Sequence, residues 1–339
     1  MPETHAQLQI LPLLADSLKA RAECFQSGHE NAFRLFSGFA EGYPDLVADI
    51  FARTLILYNY SSPPDKGLAA VQTAQRYFLE MLPWLQAIIV KTRKSAKLSG
   101  RRGYLIYGDK PGQEIKEAGV WYAVDLMMNQ DSSFYLDTRL LRTWAAQNLA
   151  GKSVLNTFAY TGSLGVSALA GSAKSILQLD KSKKFLQLAE RSCRLNGFST
   201  DQVSTVAGDF WSLTRHYRLE GRLFDCVFLD PPYFSATGKG RIDIATNYIS
   251  VLNKVRPLIA HDGILVAINN AIYVSGAEYH RWLQDLCSDG YLALEEMIAV
   301  PPDVTGYPET IKRQPLVDPY PFNHSTKIAV LRVKRKDIS

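Results

Sequence analysis

The rhythm of apolar and polar positions changes near Gly151. Downstream, short unbroken apolar runs alternate with stretches whose apolar residues recur every three or four positions. "KSVLNTFAY" leads into "GSLGVSALAGSA", "SILQLD" into "KSKKFLQLAERSCRLNG", and "VSTVAGD" into "FWSLTRHYRLEG". "FDCVFLD" then precedes "DIATNYISVLNKVRPLIA", and "GILVAINNA" precedes "GAEYHRWLQDLCSDG". Unbroken runs read as strands buried on both faces, and the wider spacing as helices with one apolar side. The alternation predicts an α/β domain with a parallel sheet and helices on both faces. "TKIAVLRVK" alternates with period two and has no helix after it, which predicts a last strand at or near a sheet edge.

Upstream the pattern is different. "AFRLFSGF", "LVADIF" and "TLILYNY" are short strand candidates punctuated by the turn signals "EGYPD" and "SSPPDKG". "GLAAVQTAQRYFLEMLPWLQ" predicts a helix, and "AIIVKTR", "GYLIYG" and "VWYAVDL" further strands. The expected organisation is an N-terminal amphipathic helix over 1–30, a small α+β domain over 31–125 and the larger α/β domain over 126–339.

Composition adds limits. The 339 residues suit two domains, and 47% hydrophobic with 21% charged residues is a globular balance. No apolar run is long enough for a membrane span, and the N-terminus lacks the basic start of a signal peptide. Cys24, Cys193, Cys226 and Cys287 are scattered without metal-ligand spacing. The expectation is no metal, no disulfide framework and a reducing, cytoplasmic setting. The net charge of +5 admits an anionic partner without demanding one. The oligomeric state stays open; a homodimer is compatible with the sequence.

Candidate chemistry collects at the ends of the predicted strands. After "VLNTF" a turn with Gly162 and Gly165 opens a helix, where backbone can approach a ligand closely. It is not a P-loop, because Ala146 occupies the required first glycine, nor a dinucleotide fingerprint, because Tyr160 does. Asp180 ends the second run, placed either to hold ribose hydroxyls or to cap the next helix. Asp209 ends the third, with adenine binding or capping as its alternatives. The fourth ends in "LDPPYF". Pro231 and Pro232 lack backbone donors and fix φ, making a rigid shelf beyond the sheet. Asp230 can accept hydrogen bonds from an amino-bearing planar group while Tyr233 or Phe234 stacks on it. The bland alternative is a proline-terminated strand with a capping carboxylate.

The ordered set of glycine turn, second-strand acid, third-strand Asp and "DPPY" resembles class I S-adenosylmethionine-dependent methyltransferases. With "SSFYLDTRLLR" upstream, the chain over about 30–335 is similar to the bacterial ribosomal RNA methyltransferases that include the large-subunit cytosine carbon-5 enzymes. It is also similar to the guanine N7 half of a fused large-subunit enzyme. The resemblance implies a Rossmann-like domain with a mostly parallel seven-stranded sheet and S-adenosyl-L-methionine as cofactor. Those relatives often begin with an RNA-binding PUA domain, for which this chain has no room. By the resemblance, Phe134, Tyr135, Asp137 and Arg139 belong to the cofactor wall. Thr157, Phe158, Tyr160 and Gly162 surround its methionine part, Asp180 with Lys181 faces the ribose, and Asp209 with Phe210 faces the adenine. Asp230, Pro231, Pro232 and Tyr233 face the transferred methyl group. Asn156 stands where the family usually carries an acid, which implies a weaker contact to the cofactor's amine end.

Methylation of cytosine carbon 5 needs a thiolate to add to the ring first. No cysteine follows the fourth or fifth strand, and Cys226 lies roughly 13 Å down its strand from Asp230 at about 3.3 Å per residue. Nitrogen targets need only alignment of a lone pair with the methyl group. Asn269 and Asn270, similar to the pair in the guanine N7 relatives, could complete base recognition, or simply end a strand. The expected product is therefore methylated at a nitrogen of an RNA base, ribosomal RNA foremost. "KTRKSAKLSGRR" carries six basic residues and no acid, so Lys91, Arg93, Lys94, Lys97, Arg101 and Arg102 are candidate phosphate contacts. "KGR" at 239–241 and "VKRKD" near the end add positive charge. Competing readings are a ribosomal RNA cytosine carbon-5 methyltransferase, which the family resemblance implies as an alternative, a protein glutamine methyltransferase, which usually carries Asn before Pro-Pro, and a non-catalytic RNA-binding protein.

Overall fold

The computed structural model describes residues 5–238 and 240–336. Lys239 of "KGR" and Asp337 of "VKRKD" lie outside the described residues. The chain forms two compact units, residues 1–136 with 301–314, and residues 137–300 with 315–339.

The first unit is a five-stranded sheet of order β1-β2-β3-β4-β5 with a separate two-stranded ribbon. Its strands are β1 (Ala32–Phe36), β2 (Leu46–Phe51), β3 (Thr54–Asn59), β4 (Ala87–Thr92) and β5 (Tyr104–Tyr107). The ribbon pairs β6 (Glu114–Glu117) with β7 (Val120–Ala123). The helices are α1 (His5–Ala20), α2 (Leu68–Met81) and the short α3 (Leu98–Arg102). Neighbouring strands are antiparallel except β3 and β4, which the α2 crossover joins in parallel. Ala70, Val71, Ala74 and Phe78 form one buried stripe of α2, and it shares a core with Ile10 and Leu14 of α1 and Phe33, Leu55 and Ile88 of the sheet. Each fully buried residue of the size of Leu or Phe contributes about 1.5–3 kcal/mol.

Two boundary expectations are corrected here. The N-terminal helix is not separate, because its apolar face is part of this core. Residues 126–136 and 301–314 belong to the first unit, not the second. Arg21 explains the return segment: its guanidinium bonds Glu41 at 2.9 Å and also reaches the Asp303 carbonyl at 2.8 Å, while the Arg34 amide donates to the Asp303 carboxylate. A buried guanidinium needs all these acceptors to be tolerated.

The second unit is a seven-stranded sheet of order β10-β9-β8-β11-β14-β16-β15. In chain order it runs α4 (Arg139–Asn148), β8 (Ser153–Thr157), α5 (Ser163–Ala170), β9 (Ser175–Asp180), α6 (Lys183–Leu195), β10 (Val203–Ala207) and α7 (Phe210–Leu219). It continues with β11 (Phe224–Leu229), the hairpin β12 (Phe234–Thr237) and β13 (Gly240–Asp243), α8 (Tyr248–Val255) and β14 (Ile259–Asn269). It ends with α9 (Gly276–Cys287), β15 (Leu292–Ile298) and β16 (Lys327–Val333). The β10, β9, β8, β11 and β14 neighbours are parallel, and β16 is antiparallel to both β14 and β15. The expected Rossmann-like α/β fold is the one observed.

The central strands are apolar throughout because helices cover both faces. Val227 and Leu229 point to one shared core with Tyr248, Leu252, Tyr279 and Leu283. The helices begin where side chains satisfy the first amides: Ser182 caps α6, Asp209 caps α7 and Ser275 caps α9. "SGAE" at 275–278 is a capping box in sequence. The pattern missed β15, whose burial alternates poorly because it is an edge strand. It also missed the β12–β13 hairpin that follows "DPPY".

Candidate active site

Strand register sets the site. Thr157 pairs with both Leu179 and Leu229, and Leu229 with Ala267, so parallel strands end almost level. Phe158, Asp180, Asp209 and Asp230 therefore leave the same edge of the sheet, with Asn269 two residues beyond Ala267. The β8–α5 turn is tightly wound. Phe158, Tyr160 and Gly162 all adopt left-handed backbone, at φ of 55°, 51° and 79°. For the two aromatic residues that conformation costs on the order of 1–3 kcal/mol each, and such strain collects at functional sites.

What holds the turn is a set of specific bonds. The Tyr160 amide donates to Asp180 Oδ2 at 2.9 Å, and the Ala159 amide to the Leu179 carbonyl at 2.8 Å. A Cβ on Gly162 would lie 2.4 Å from that of Ala189, so no other residue fits. Beneath the turn, Asn156 Nδ2 donates to Gln178 Oε1 at 2.8 Å, and Gln178 Nε2 donates to the Gly162 carbonyl at 3.1 Å. Asn156 was expected to touch the cofactor. Its side chain is instead buried with its Nδ2 bonded to Gln178, so it supports the turn from below. Thr157 is corrected likewise: its hydroxyl is buried and donates to the Phe228 carbonyl at 2.6 Å. Gln178, which sequence reasoning missed, sits mid-strand in "SILQLD", where a polar residue inside an apolar run was the available signal.

The strand-end carboxylates Asp180 and Asp209 both accept hydrogen bonds from backbone amides. Asp180 Oδ1 accepts from the Ser182 amide at 2.8 Å, and burial pushes its pKa up while these backbone donors pull against that. An ionised carboxylate has about four acceptor directions, so capacity for ribose hydroxyls remains. Asp209 Oδ1 accepts from the amide and hydroxyl of Ser212, both at 3.1 Å, which makes it the α7 cap. Phe210 is buried, its ring 4.6 Å from that of Phe158. The Tyr160 ring meets Phe185 edge-on at 4.6 Å. Lys181 is exposed.

Asp230 differs from the other strand-end acids. Its Oδ1 is buried and has no hydrogen-bond partner. Burial first, and the nearby Asp137 charge second, push its pKa up to about 7. Asp137 is itself fixed by the Thr326 hydroxyl, which donates to it at 2.7 Å. Pro231 is buried and Pro232 exposed, as are the rings of Tyr233 and Phe234. Such an orphaned buried acceptor is costly unless a ligand supplies the missing donor.

Asn269 does not present itself to a base. It is fully buried, with Oδ1 accepting from the Ala271 amide at 2.9 Å and Nδ2 donating to the Ile244 carbonyl at 3.3 Å. Asn270 is exposed and remains available. Lys91 is corrected too. It is 0% exposed and donates to the carbonyls of Asn129 at 2.8 Å and Asp131 at 2.9 Å, with burial lowering its pKa to about 8. Its place at the head of a basic run hid this, because β4 buries both its faces. Arg93 is partly held by Asp131 at 3.1 Å, whereas Lys94, Lys97 and Arg102 are exposed and Arg101 is half-buried. Phe134 is buried against Tyr122 in the first unit, Tyr135 is exposed there, and Arg139 opens α4 in the second.

Cys226 and Cys193 are buried, and burial raises both thiols, that of Cys193 to about 12. Cys287 is in α9 and Cys24 in the first unit. Among the described residues no three His, Cys, Asp or Glu cluster as metal ligands, and no helix is long and apolar enough to cross a membrane.

A strained strand-to-helix turn, an acid on the next strand and an orphaned acid one strand over define a methyltransferase crevice. The chain belongs to the S-adenosylmethionine-dependent methyltransferase family, which it matches over residues 33–289. Its cofactor is S-adenosyl-L-methionine. It is 30% identical over 285 residues to ribosomal RNA large subunit methyltransferase I of Aeromonas hydrophila, covering 82% of this chain and 72% of that one. The relative of the same name from Shewanella frigidimarina is 30% identical over 305 residues, covering 85% and 76%. Among solved structures, SMU.776, assigned as a methyltransferase and complexed with SAH, superposes with a TM-score of 0.84 at 19% identity, covering 98% of this chain and 83% of that one. A methyltransferase from Agrobacterium tumefaciens gives 0.63 at 15% identity, covering 92% of each chain. Both support the fold.

Proposed function

We propose that this enzyme methylates a nitrogen atom of a base in ribosomal RNA, with Asp230 as the acceptor that holds the base. The cofactor supplies an electrophilic methyl group on a sulfonium. Asp180, Lys181, Tyr160 and Gly162 hold its ribose and methionine parts, and Asp209 with Phe210 its adenine, with Asn156 and Thr157 fixing the turn from below. The residues fit that ligand: the turn admits backbone contact, Asp180 keeps acceptor capacity, and the Asp230 carboxylate is positioned for a donor it lacks. Within the sheet domain, Asp137 and Arg139 complete the cofactor wall.

The observation that carries the reading is the buried, unpartnered Oδ1 of Asp230. A base N–H would supply its missing hydrogen bond and so fix the orientation of the base. Where the target nitrogen carries a proton, the Asp230 carboxylate, with a pKa near 7, would accept it as the methyl group leaves the sulfonium, which departs as a neutral thioether. Pro231 and Pro232 keep the shelf rigid and Tyr233 stacks on the base. Carbon-5 chemistry is disfavoured because the two cysteines of the sheet domain's core are buried and protonated, and neither follows Asp230 or β14. The relatives named for ribosomal RNA support that RNA as substrate, and the exposed Lys94, Lys97 and Arg102 suit its phosphates.

The test is transfer of tritium from labelled cofactor to undermethylated ribosomal RNA, followed by nucleoside analysis. A methylated nitrogen is expected. Methyl on cytosine carbon 5, or loss of transfer in a folded Cys226→Ser variant, overturns the nitrogen assignment.

A further inference from the structure

Five exposed apolar side chains gather where β11 and β14 leave the sheet. Tyr233 and Phe234 follow β11 and are 48% and 55% exposed; Ile272 and Tyr273 follow β14 and are 48% and 68% exposed. The two strands are paired, so these segments leave from adjacent positions about 4.8 Å apart. Tyr320, 73% exposed, comes from the segment before β16. That segment lies against the same corner, because the Gly276 amide donates to the Asp318 carbonyl at 3.0 Å. Gly276 is three residues beyond Tyr273. A Cβ there would come within 2.5 Å of the Tyr320 carbonyl, so the close approach requires glycine.

Exposure of one ring is ordinary, but several beside an orphaned base acceptor call for an occupant. The chemistry of these side chains favours nucleobases. Most are tyrosines, which offer a flat face and a polar tip. The Arg241 guanidinium lies 5.3 Å over the Phe234 ring and is itself exposed, extending the flat surface at the edge. The carboxylates of the same turns are engaged: Asp243 by Arg241 at 2.9 Å, and Asp318 by the Tyr320 amide at 2.9 Å.

We infer that Tyr273 and Tyr320 form a stacking platform for unpaired nucleotides flanking the target, so that the substrate segment is single-stranded where it is methylated. This rests on the proposed RNA reading and names the structural class of the RNA. In a duplex the flanking bases are stacked on one another and their faces are closed to protein rings.

The experiment is fluorescence anisotropy with a fluorescein-labelled oligoadenylate, alone and annealed to oligouridylate, with S-adenosylhomocysteine present. The single strand should bind at least about tenfold more tightly than the duplex. Tyr273→Ala and Tyr320→Ala should each weaken single-strand binding about 5- to 100-fold, and Tyr273→Phe should restore it. Calorimetric affinity for the cofactor serves as the folding control. Equal affinity for strand and duplex, or Ala variants that bind the strand as tightly as the parent, overturns the platform. The parent reading is tested separately by tritium transfer. Transfer to RNA without a single-strand preference sinks the platform alone, whereas no transfer and no binding of either RNA sinks both.

Discussion

Replacing Asp230 by Asn keeps the side-chain shape and removes the charge. In the native fold the Asp230 pKa rises from 3.8 to about 7. At about 1.36 kcal/mol per pH unit, that gap disfavours the ionised native form by about 4 kcal/mol. Below the unfolded pKa both states are protonated and the group is silent. Between the two values the native chain keeps a proton that the unfolded chain releases, so stability falls as pH rises through this window. Above about pH 7 the full penalty is present. Asn has no ionised form, so the variant should gain about 1.5 kcal/mol at pH 5 and about 4 kcal/mol at pH 8. At about 2–4 °C per kcal/mol, its melting temperature should exceed the parent's by about 5–10 °C more at pH 8 than at pH 5. Thermal melts of both proteins at the two pH values measure this. Activity should move the other way. Parent kcat/KM should climb through about pH 7 and level off, and Asp230→Asn should lose about 10²–10⁴-fold with no such climb. An equal stability gain at both pH values, or a parent profile flat from acid to alkaline pH, would refute the reasoning.

Other expectations follow from the same site and from the first unit. Gly162→Ala forces a Cβ to 2.4 Å from Ala189 at a left-handed position, and should cost about 1–3 kcal/mol and weaken cofactor binding measured by calorimetry. Gln178→Ala leaves the buried Asn156 amide unpaired, so a stability loss of about 1–3 kcal/mol and looser cofactor binding are expected from chemical denaturation and titration. Lys97→Ala and Arg102→Ala should each reduce the slope of log affinity for single-stranded RNA against log salt by about 0.7. Lys91→Met should leave that slope unchanged, because the ammonium is buried on backbone carbonyls.

The strand-end acids of the site were legible because each sits at the end of an unbroken apolar run, and parallel strands deliver such ends to one edge. Asp180, Asp209 and Asp230 were found that way. Their differences were not legible. Asp180 is met by the amides of Tyr160 and Ser182 and Asp209 by that of Ser212, while Asp230 is followed by two prolines that have no amide to offer. That asymmetry is written in "LDPPYF", yet its result, one buried orphan oxygen, depends on what Asp137, Thr326 and Tyr248 place around it. Asn156, Asn269 and Lys91 were misread for a common reason. Each looks like an available polar group in one dimension, and each is consumed by a partner distant in sequence: Gln178, Ile244 and Asn129.

By itself the sequence determined the period of each element, and through it a parallel sheet wrapped by helices, a glycine turn and an acid at successive strand ends. Those follow from local sterics and from the burial of apolar runs, which act over a few residues. Only the tertiary structure decided which polar side chains are spent on the protein and which are left for a ligand. It also returned residues 301–314 to the first unit through Arg21, inserted β16 between β14 and β15, and laid the segment 318–320 against Gly276. Hydrogen-bond satisfaction is a global condition. A buried donor or acceptor must find a partner wherever the fold provides one, and the chain's order does not encode which partner that is.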